Sequence, residues 1–462
     1  MMVARAAVKR QSRVFAEGRS SHVGTEINLE LGGLSLSWSK NHRGPDHGAL
    51  FQEIDRGSVR SNQIDYDHFR DQNEDPASME MAFVRKLKQA VPRLELLGFT
   101  LEQARSAYDR WTGECRKERE ALADPEDPPI PQSLSFEDFC AFANRWPVTE
   151  LDDTFRGNET AIGSKNLKGR FIEHETTIER IPRSSDHDDL SWSERSYFGN
   201  RINILHPYLM LRILAGNAVN LETDLVWQFG PLVEAGWATA AEFTPFARRT
   251  ETFLIATEGS SDVHILRHAL GLLRPEIADF FRFIDVSERH PFPGTGNLLK
   301  FAEGLAKIDV QNQVVFVFDN DAEGTDAFNK VGALALPSNM RAMVLPSLDV
   351  FRSFPAKGPQ GDHEADINGR AAAIECYLDH RLHEHRPARV IWTNYKKEAD
   401  TYQGALEFKE SYTKAFLSLT PDRLAAKSYD TGNIEQVLDA LIQQCVLLAS
   451  DELAARITAL EY

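Results

Sequence analysis

Hydrophobic and polar positions alternate at the start of the folded chain: Ile27, Leu29 and Leu31, then Leu34, Leu36 and Trp38, on either side of Gly32-Gly33. A period of two flanking a two-glycine turn predicts a β-hairpin. Turn-rich residues 39–48 come next, and Leu50-Phe51 closes this small unit. Residues 79–97 and 101–111 switch to helical periodicity, the second opened by a Thr100-x-x-Gln103 capping box, and predict a helical pair. Residues 124–131 hold four prolines and cannot continue a helix, because each removes a backbone donor and restricts its predecessor. A polar stretch over 151–191 precedes apolar segments at 202–214 and 225–237, which extend the helical reading.

From residue 251 the texture becomes strand, glycine turn, helix. Strands are predicted over 252–256, 281–286, 314–318 and 341–345, with helices over 263–273 and 298–308. Strands alternating with helices imply a parallel-rich α/β sheet, whose ligands bind at the carboxyl ends of the strands. The expected order is a disordered basic start (1–20), a small β-rich unit (21–75), a mainly helical regulatory or partner-binding region (76–250), an α/β catalytic domain (251–416) and C-terminal helices (417–462).

Composition changes this picture only in places. At 462 residues the chain has room for two to four domains. A formal net charge of −17 excludes a protein that coats nucleic acid through a general positive field, so any such contact is local. The four cysteines, Cys115, Cys140, Cys376 and Cys445, lack CxxC or zinc spacing and read as free thiols. No apolar run approaches the ~20 residues of a membrane helix, and no GxxxxGK[ST] phosphate loop occurs. The Arg- and Lys-rich start reads as a frayed terminus, with a transit peptide as the alternative. A cytoplasmic protein is expected.

Candidate chemistry gathers at two strand ends. Glu258-Gly259 directly follows one buried strand, and Asp319-Asn320-Asp321-Ala322-Glu323-Gly324 directly follows another. Phosphoryl transfer needs a divalent ion against the scissile phosphate, and hard carboxylate oxygens suit Mg2+ or Mn2+. Gly259 and Gly324 would let the backbone approach a phosphate or take a positive φ. Either motif alone is an ordinary solvated acidic turn; their order and context carry the weight.

These residues resemble the TOPRIM domain of topoisomerases, bacterial primases and overcoming-lysogenization-defect (OLD) family nucleases: Asp319-x-Asp321-x-Glu323-Gly324 fits DxDxEG, and Glu258-Gly259 fits the opening glutamate motif. The resemblance implies a Rossmann-like fold, Glu258 as general acid/base or metal ligand, and Asp319 and Asp321 as metal ligands. Glu258-Gly-Ser-Ser-Asp262 is similar to the EGxxD form of OLD nucleases, which adds Asp262 as a ligand against its alternative, a helix-capping acid. Two further stretches resemble HEPN/Toprim-associated proteins of bacterial defence loci: Gly24-Thr25 through Trp38-x-Lys40-Asn41 to Leu50-Phe51, and Asp366-Ile-Asn-Gly369 through Ala373-Ile-Glu375, with Tyr402-Gln-Gly404 and Lys409 beyond.

By the resemblance to OLD nucleases Glu375, on a helix expected over 370–378, completes a second metal position; a surface glutamate is the alternative, and Asp366 is a competing ligand or a helix cap. Lys409 would stabilise charge on the phosphate in the transition state. Lys396 and Lys397 would bind the nucleic-acid backbone. Arg201-x4-His206 matches the short HEPN ribonuclease pattern, which chance and a helix start at Pro207 also explain. The expected activity is a Mg2+-dependent nuclease of bacterial anti-phage defence, acting on DNA or RNA, transfer RNA included. Its regulation would come from a separate ATPase or sensor, or from another copy of the chain. The alternative is a TOPRIM-fold sensor or scaffold with little activity alone. Neither the tyrosine domain of a topoisomerase nor the zinc module of a primase is recognisable.

Overall fold

The computed structural model describes residues 25–60, 64, 66–124, 131–155, 159–160, 165–183, 190–284, 294–308, 310–359, 361–381, 387–397, 400–426 and 429–459. The expected disordered start and most of the proline-rich stretch lie outside them. The chain divides into two compact units, Met1–Phe246 with Leu453–Tyr462, and Ala247–Glu452.

In the first unit, strands β1 (Glu26–Leu31) and β2 (Leu34–Lys40) form the expected hairpin, and its turn residues Gly32 and Gly33 have φ of +54° and +82°. Two successive positive φ values are what a tight hairpin turn with the right twist requires, and glycine supplies them without strain. Three more strands, β3 (Arg56–Ser58), β4 (Met81–Lys86) and β5 (Asp224–Gln228), complete an antiparallel sheet in the order β2-β1-β5-β4-β3. The hairpin is thus one side of a sheet that reaches into the region expected to be mainly helical.

Two helical expectations need correction for the same reason. Residues 81–86 and 224–228 are sheet strands, and helix begins only beyond each of them, with α1 (Leu87–Leu96) after the first and a short turn at Gly230–Glu234 after the second. Each strand is only five or six residues long and leads on into helix, and so short an apolar run cannot be told from a helix by periodicity. The capping box holds: Thr100 caps α2 (Leu101–Leu122), its Oγ1 accepting from the Gln103 amide at 3.2 Å. The apolar segment 202–214 is two helices, α3 (Glu194–Ile202) and α4 (Pro207–Leu214), broken where Pro207 takes the first helical position. The core stacks Phe51, Phe83, Phe229 and Phe243 around Trp227, which is 1% exposed.

The second unit holds the expected α/β sheet. Strands β6 (Phe253–Thr257), β7 (Phe281–Phe283), β8 (Gln313–Phe318) and β9 (Met340–Val344) are all parallel, in the order β9-β8-β6-β7. Helices α5 (Ser260–Leu273), α6 (Thr295–Leu305) and α7 (Ala322–Gly332) lie between them in sequence. A second sheet comes next, from β10 (Phe354–Gly358), β11 (Gly361–Ala365), β12 (Val390–Lys396) and β13 (Thr401–Leu406), then helix α8 (Lys409–Leu417). The unit runs on to Glu452, inside the long helix Gly432–Ala459. Among the described residues no helix is long and apolar enough to cross a membrane. All four cysteines are free, Cys140 half-buried and the others buried.

Candidate metal centre

Strands β6 and β8 are the two central strands of the parallel sheet, and every residue of β8 is buried. Where each apolar run stops, the chain emerges at the same carboxyl edge, with Glu258 after β6 and Asp319 after β8. A hydrogen bond ties the two ends: Glu258 Oε1 accepts from the Asp319 amide at 3.0 Å, while Thr295 Oγ1 meets Glu258 Oε2 at 2.5 Å. Asp321 caps α7, its Oδ1 accepting from the Gly324 amide at 2.7 Å. Gln403 of β13 clamps the same loop; its Nε2 donates to Asp321 Oδ2, and its Oε1 accepts from the amides of Ala322 (3.0 Å) and Glu323 (3.3 Å).

Asp262 lies in the first turn of α5, where its Oδ2 accepts from the Gly259 amide at 3.0 Å. That is the capping role set against metal binding, and its other oxygen receives the Ser261 hydroxyl at 3.2 Å. Asp319 Oδ1 accepts from the Ile374 amide at 3.1 Å, which brings the neighbouring Glu375 to the same place. Asn320 braces the loop, accepting from the Gly369 amide at 2.8 Å.

Five carboxylates therefore converge. Glu258 and Asp262 are 8% exposed, Asp321 9% and Glu375 3%. Burial, foremost, pushes Glu258, Asp262, Asp319 and Asp321 above the ordinary carboxylate range, and their neighbours push further. Asp319 feels the charges of Asp262, Glu258, Asp321 and Glu375 together, and stands well above its usual value. Lys409 opposes this at Asp262. The donor set, all hard oxygens with excess negative charge, suits a magnesium-like cation. Among the described residues no three carboxylate, histidine or cysteine side chains form a ready-made cage. Both oxygens of Glu258 and of Asp321 are already engaged in hydrogen bonds.

The remaining expected site residues divide between the cluster and the surface. Glu375 is neither on a helix over 370–378 nor at the surface; Ala371–Ala372 pairs as a short strand with Asn320–Asp321, and Glu375 sits in the 3-10 turn Ile374–Tyr377. Gly259 has φ −144° and only loose neighbours around a built Cβ, so neither a positive φ nor crowding requires glycine there. Gly324 lacks a positive φ as well, but a Cβ on it would stand 2.2 Å from the Asp319 carbonyl oxygen and 2.9 Å from Glu258 Oε1. Close approach is what demands that glycine. Lys409 opens α8. Lys396 forms an ion pair with Glu323, and Lys397 lies exposed in the turn after β12.

Asp366 is exposed and accepts from the Asn368 amide at 3.0 Å, a local turn contact away from the cluster's hydrogen bonds. His206 caps α4, accepting from the Tyr208 amide at 3.2 Å, and stacks on Phe99 at 4.8 Å; Arg201 lies 5.0 Å over the Tyr197 ring. Each has a local structural role. Thr295 was missed, because it reaches the site across dozens of residues with no motif of its own, and Gln403, though inside the Tyr402-Gln-Gly404 stretch, was given no role.

The second unit is thus an α/β domain with a parallel sheet and a carboxylate cluster at its strand ends. Residues 23–251 match the family model of the HEPN/Toprim N-terminal domain 1, which supports a HEPN/Toprim-associated domain protein. The match ends just before β6, so it covers the first unit and not the cluster. No curated protein and no solved structure matches the chain.

Proposed function

We propose that the second unit is a TOPRIM domain resembling those of OLD nucleases, and that the chain is a Mg2+-dependent endonuclease acting in bacterial anti-phage defence. The observation that carries this reading is the convergence of Glu258, Asp262, Asp319, Asp321 and Glu375 at the central strand ends, with a mutual repulsion that a cation would relieve. The HEPN/Toprim match supports it, since both domain types are typically nucleic-acid-acting enzymes.

Glu258, Asp319 and Asp321 would hold the first ion, Mg2+ or Mn2+, with Asp262 and Glu375 at a second position. Bound there, the metal supplies Lewis-acid polarisation of the phosphodiester and a water of lowered pKa. Glu258 moves a proton at the reacting oxygen. Thr295 and the Asp319 amide orient its carboxyl group. Gln403 holds the Asp321 loop in place, and Lys409 offsets charge growing on the phosphate.

Asp319→Ala is expected to abolish Mg2+-dependent cleavage across a panel of plasmid, linear duplex, single strands and bulk transfer RNA, with the circular dichroism of the fold retained. Full residual cleavage would overturn the assignment. The sensor or scaffold reading is favoured by one observation, the lack of a ready-made cage among the described residues. Nucleic acid bound without any Mg2+-dependent product, under every condition of that panel, would select it. On either reading the first unit is where a separate ATPase, a sensor or a second copy would act.

A further inference from the structure

Two cavities flank the carboxylate cluster, each lined by two acids and two lysines, and they differ in whether those lysines are already paired. The smaller, about 240 Å³, is lined by Thr295, Leu299, Glu323, Asp326, Lys330 and Lys396. Both of its lysines are already neutralised, Lys330 by Asp326 at 2.5 Å and Lys396 by Glu323. The larger, about 600 Å³, is lined by Glu375, Lys409, Glu410, Thr413, Lys414 and Leu417, among others. Among the described residues neither Lys409 nor Lys414 has an ion pair or hydrogen bond through its ammonium group.

Lys409, Thr413 and Leu417 succeed one another at helical spacing along α8, with Lys414 beside them, so one strip of this helix forms a wall that begins at Glu375. The wall is largely carbon, from Leu417 and the lysine stems, and its charged groups are Lys409 and Lys414 with Glu375 and Glu410. A volume of this size is that of a small-ligand site. In a chain of net charge −17, a polyanion approaching five carboxylates needs uncommitted cations close by.

Resting on the nuclease reading, we infer that this larger cavity seats the nucleotide adjoining the attacked phosphodiester, with Lys414 binding that nucleotide's phosphate. Sugar and base lie along the carbon wall. The backbone-binding role thereby moves from Lys396, which Glu323 neutralises, to Lys414.

The test is K414E against K307E, which makes the same change of net charge on an exposed turn of the same unit. Both are made in the Asp319→Asn background, and binding of a fluorescent single-stranded oligonucleotide is followed by anisotropy from 50 to 200 mM salt. K414E is expected to weaken binding about tenfold at low salt and to lower the slope of log K against log salt by about 1, with K307E unchanged. In the cleavage-competent protein, K414E should raise KM and leave kcat. Equal effects of the two variants, or K414E binding like its parent, overturn the inference. Cleavage by the parent with an unchanged KM in K414E removes this inference alone, whereas absence of any binding or cleavage by the parent removes the nuclease reading with it.

Discussion

In the first unit Arg93 is fully buried and gives its guanidinium to the carbonyls of Ala49 (2.7 Å) and Phe51 (3.3 Å), and buried Arg85 meets Asp55 at 2.8 Å. His47, 4% exposed, shares a 3.0 Å hydrogen bond with the Tyr208 hydroxyl. In the second unit the buried ionisable groups face one another with the same sign. Burial against an opposite charge or a carbonyl holds a fold together; burial of like charges side by side stores a demand for something outside the chain. On the nuclease reading, the difference marks the first unit as framework and the second as the bearer of the site.

The contrast can be broken most forcefully at its framework end. Trp227→Ala should cost about 3–5 kcal/mol, because it empties the centre of the aromatic stack. Denaturant melting gives the size, and hydrogen exchange should place the loss in the first unit. Magnesium should not restore it.

Gly324→Ala should cost the second unit about 1–3 kcal/mol, since the added Cβ must displace backbone at the Asp319 carbonyl. Here cleavage and stability should fall together. A variant that melts like the parent would mean that the loop end is looser than its contacts indicate.

Acid should act on the first unit through His47. Burial lowers its pKa from 6.5 to about 3, so the unfolded chain takes up a proton below pH 6.5 that the folded chain refuses until about pH 3. Its contribution is present above pH 6.5 and is lost as pH falls through that window, about 2 kcal/mol between pH 6.5 and 5. His47→Gln should flatten that part of the stability profile; an unchanged profile would remove His47 as its source.

The smallest effect has the opposite sign. Asp319→Asn should raise the stability of the chelator-treated protein slightly, because it removes a carboxyl whose charge four neighbours repel while leaving an acceptor for the Ile374 amide. Magnesium should raise the Tm of the parent and leave that of this variant where it is. Destabilisation in chelator would show that the cluster is structural after all.

Locality decides how much was legible. The hairpin was readable because Gly32-Gly33 is a local signal, and Glu258 and Asp319 because each directly follows a strand. Strands 81–86 and 224–228 were hidden, since each is a short run leading into helix, too brief for periodicity to mark it as a strand. Glu375 was placed on the wrong element, because a backbone hydrogen bond from Ile374 to Asp319 fixes the 3-10 turn that carries it. Thr295 and Lys414 carry no pattern at all; only folding sets one against Glu258 and the other in the adjoining cavity.

Gly324 also shapes how such a chain can lose its activity in a population of cells. Every amino-acid change reachable by one base from a glycine codon adds a Cβ, so each meets the Asp319 carbonyl and harms folding along with chemistry. An aspartate codon becomes an asparagine codon by one base, with the shape of the side chain kept. If unrestrained cleavage kills its host, survivors that still make full-length, folded protein should carry changes at the carboxylates, and survivors altered at Gly324 should have little protein left.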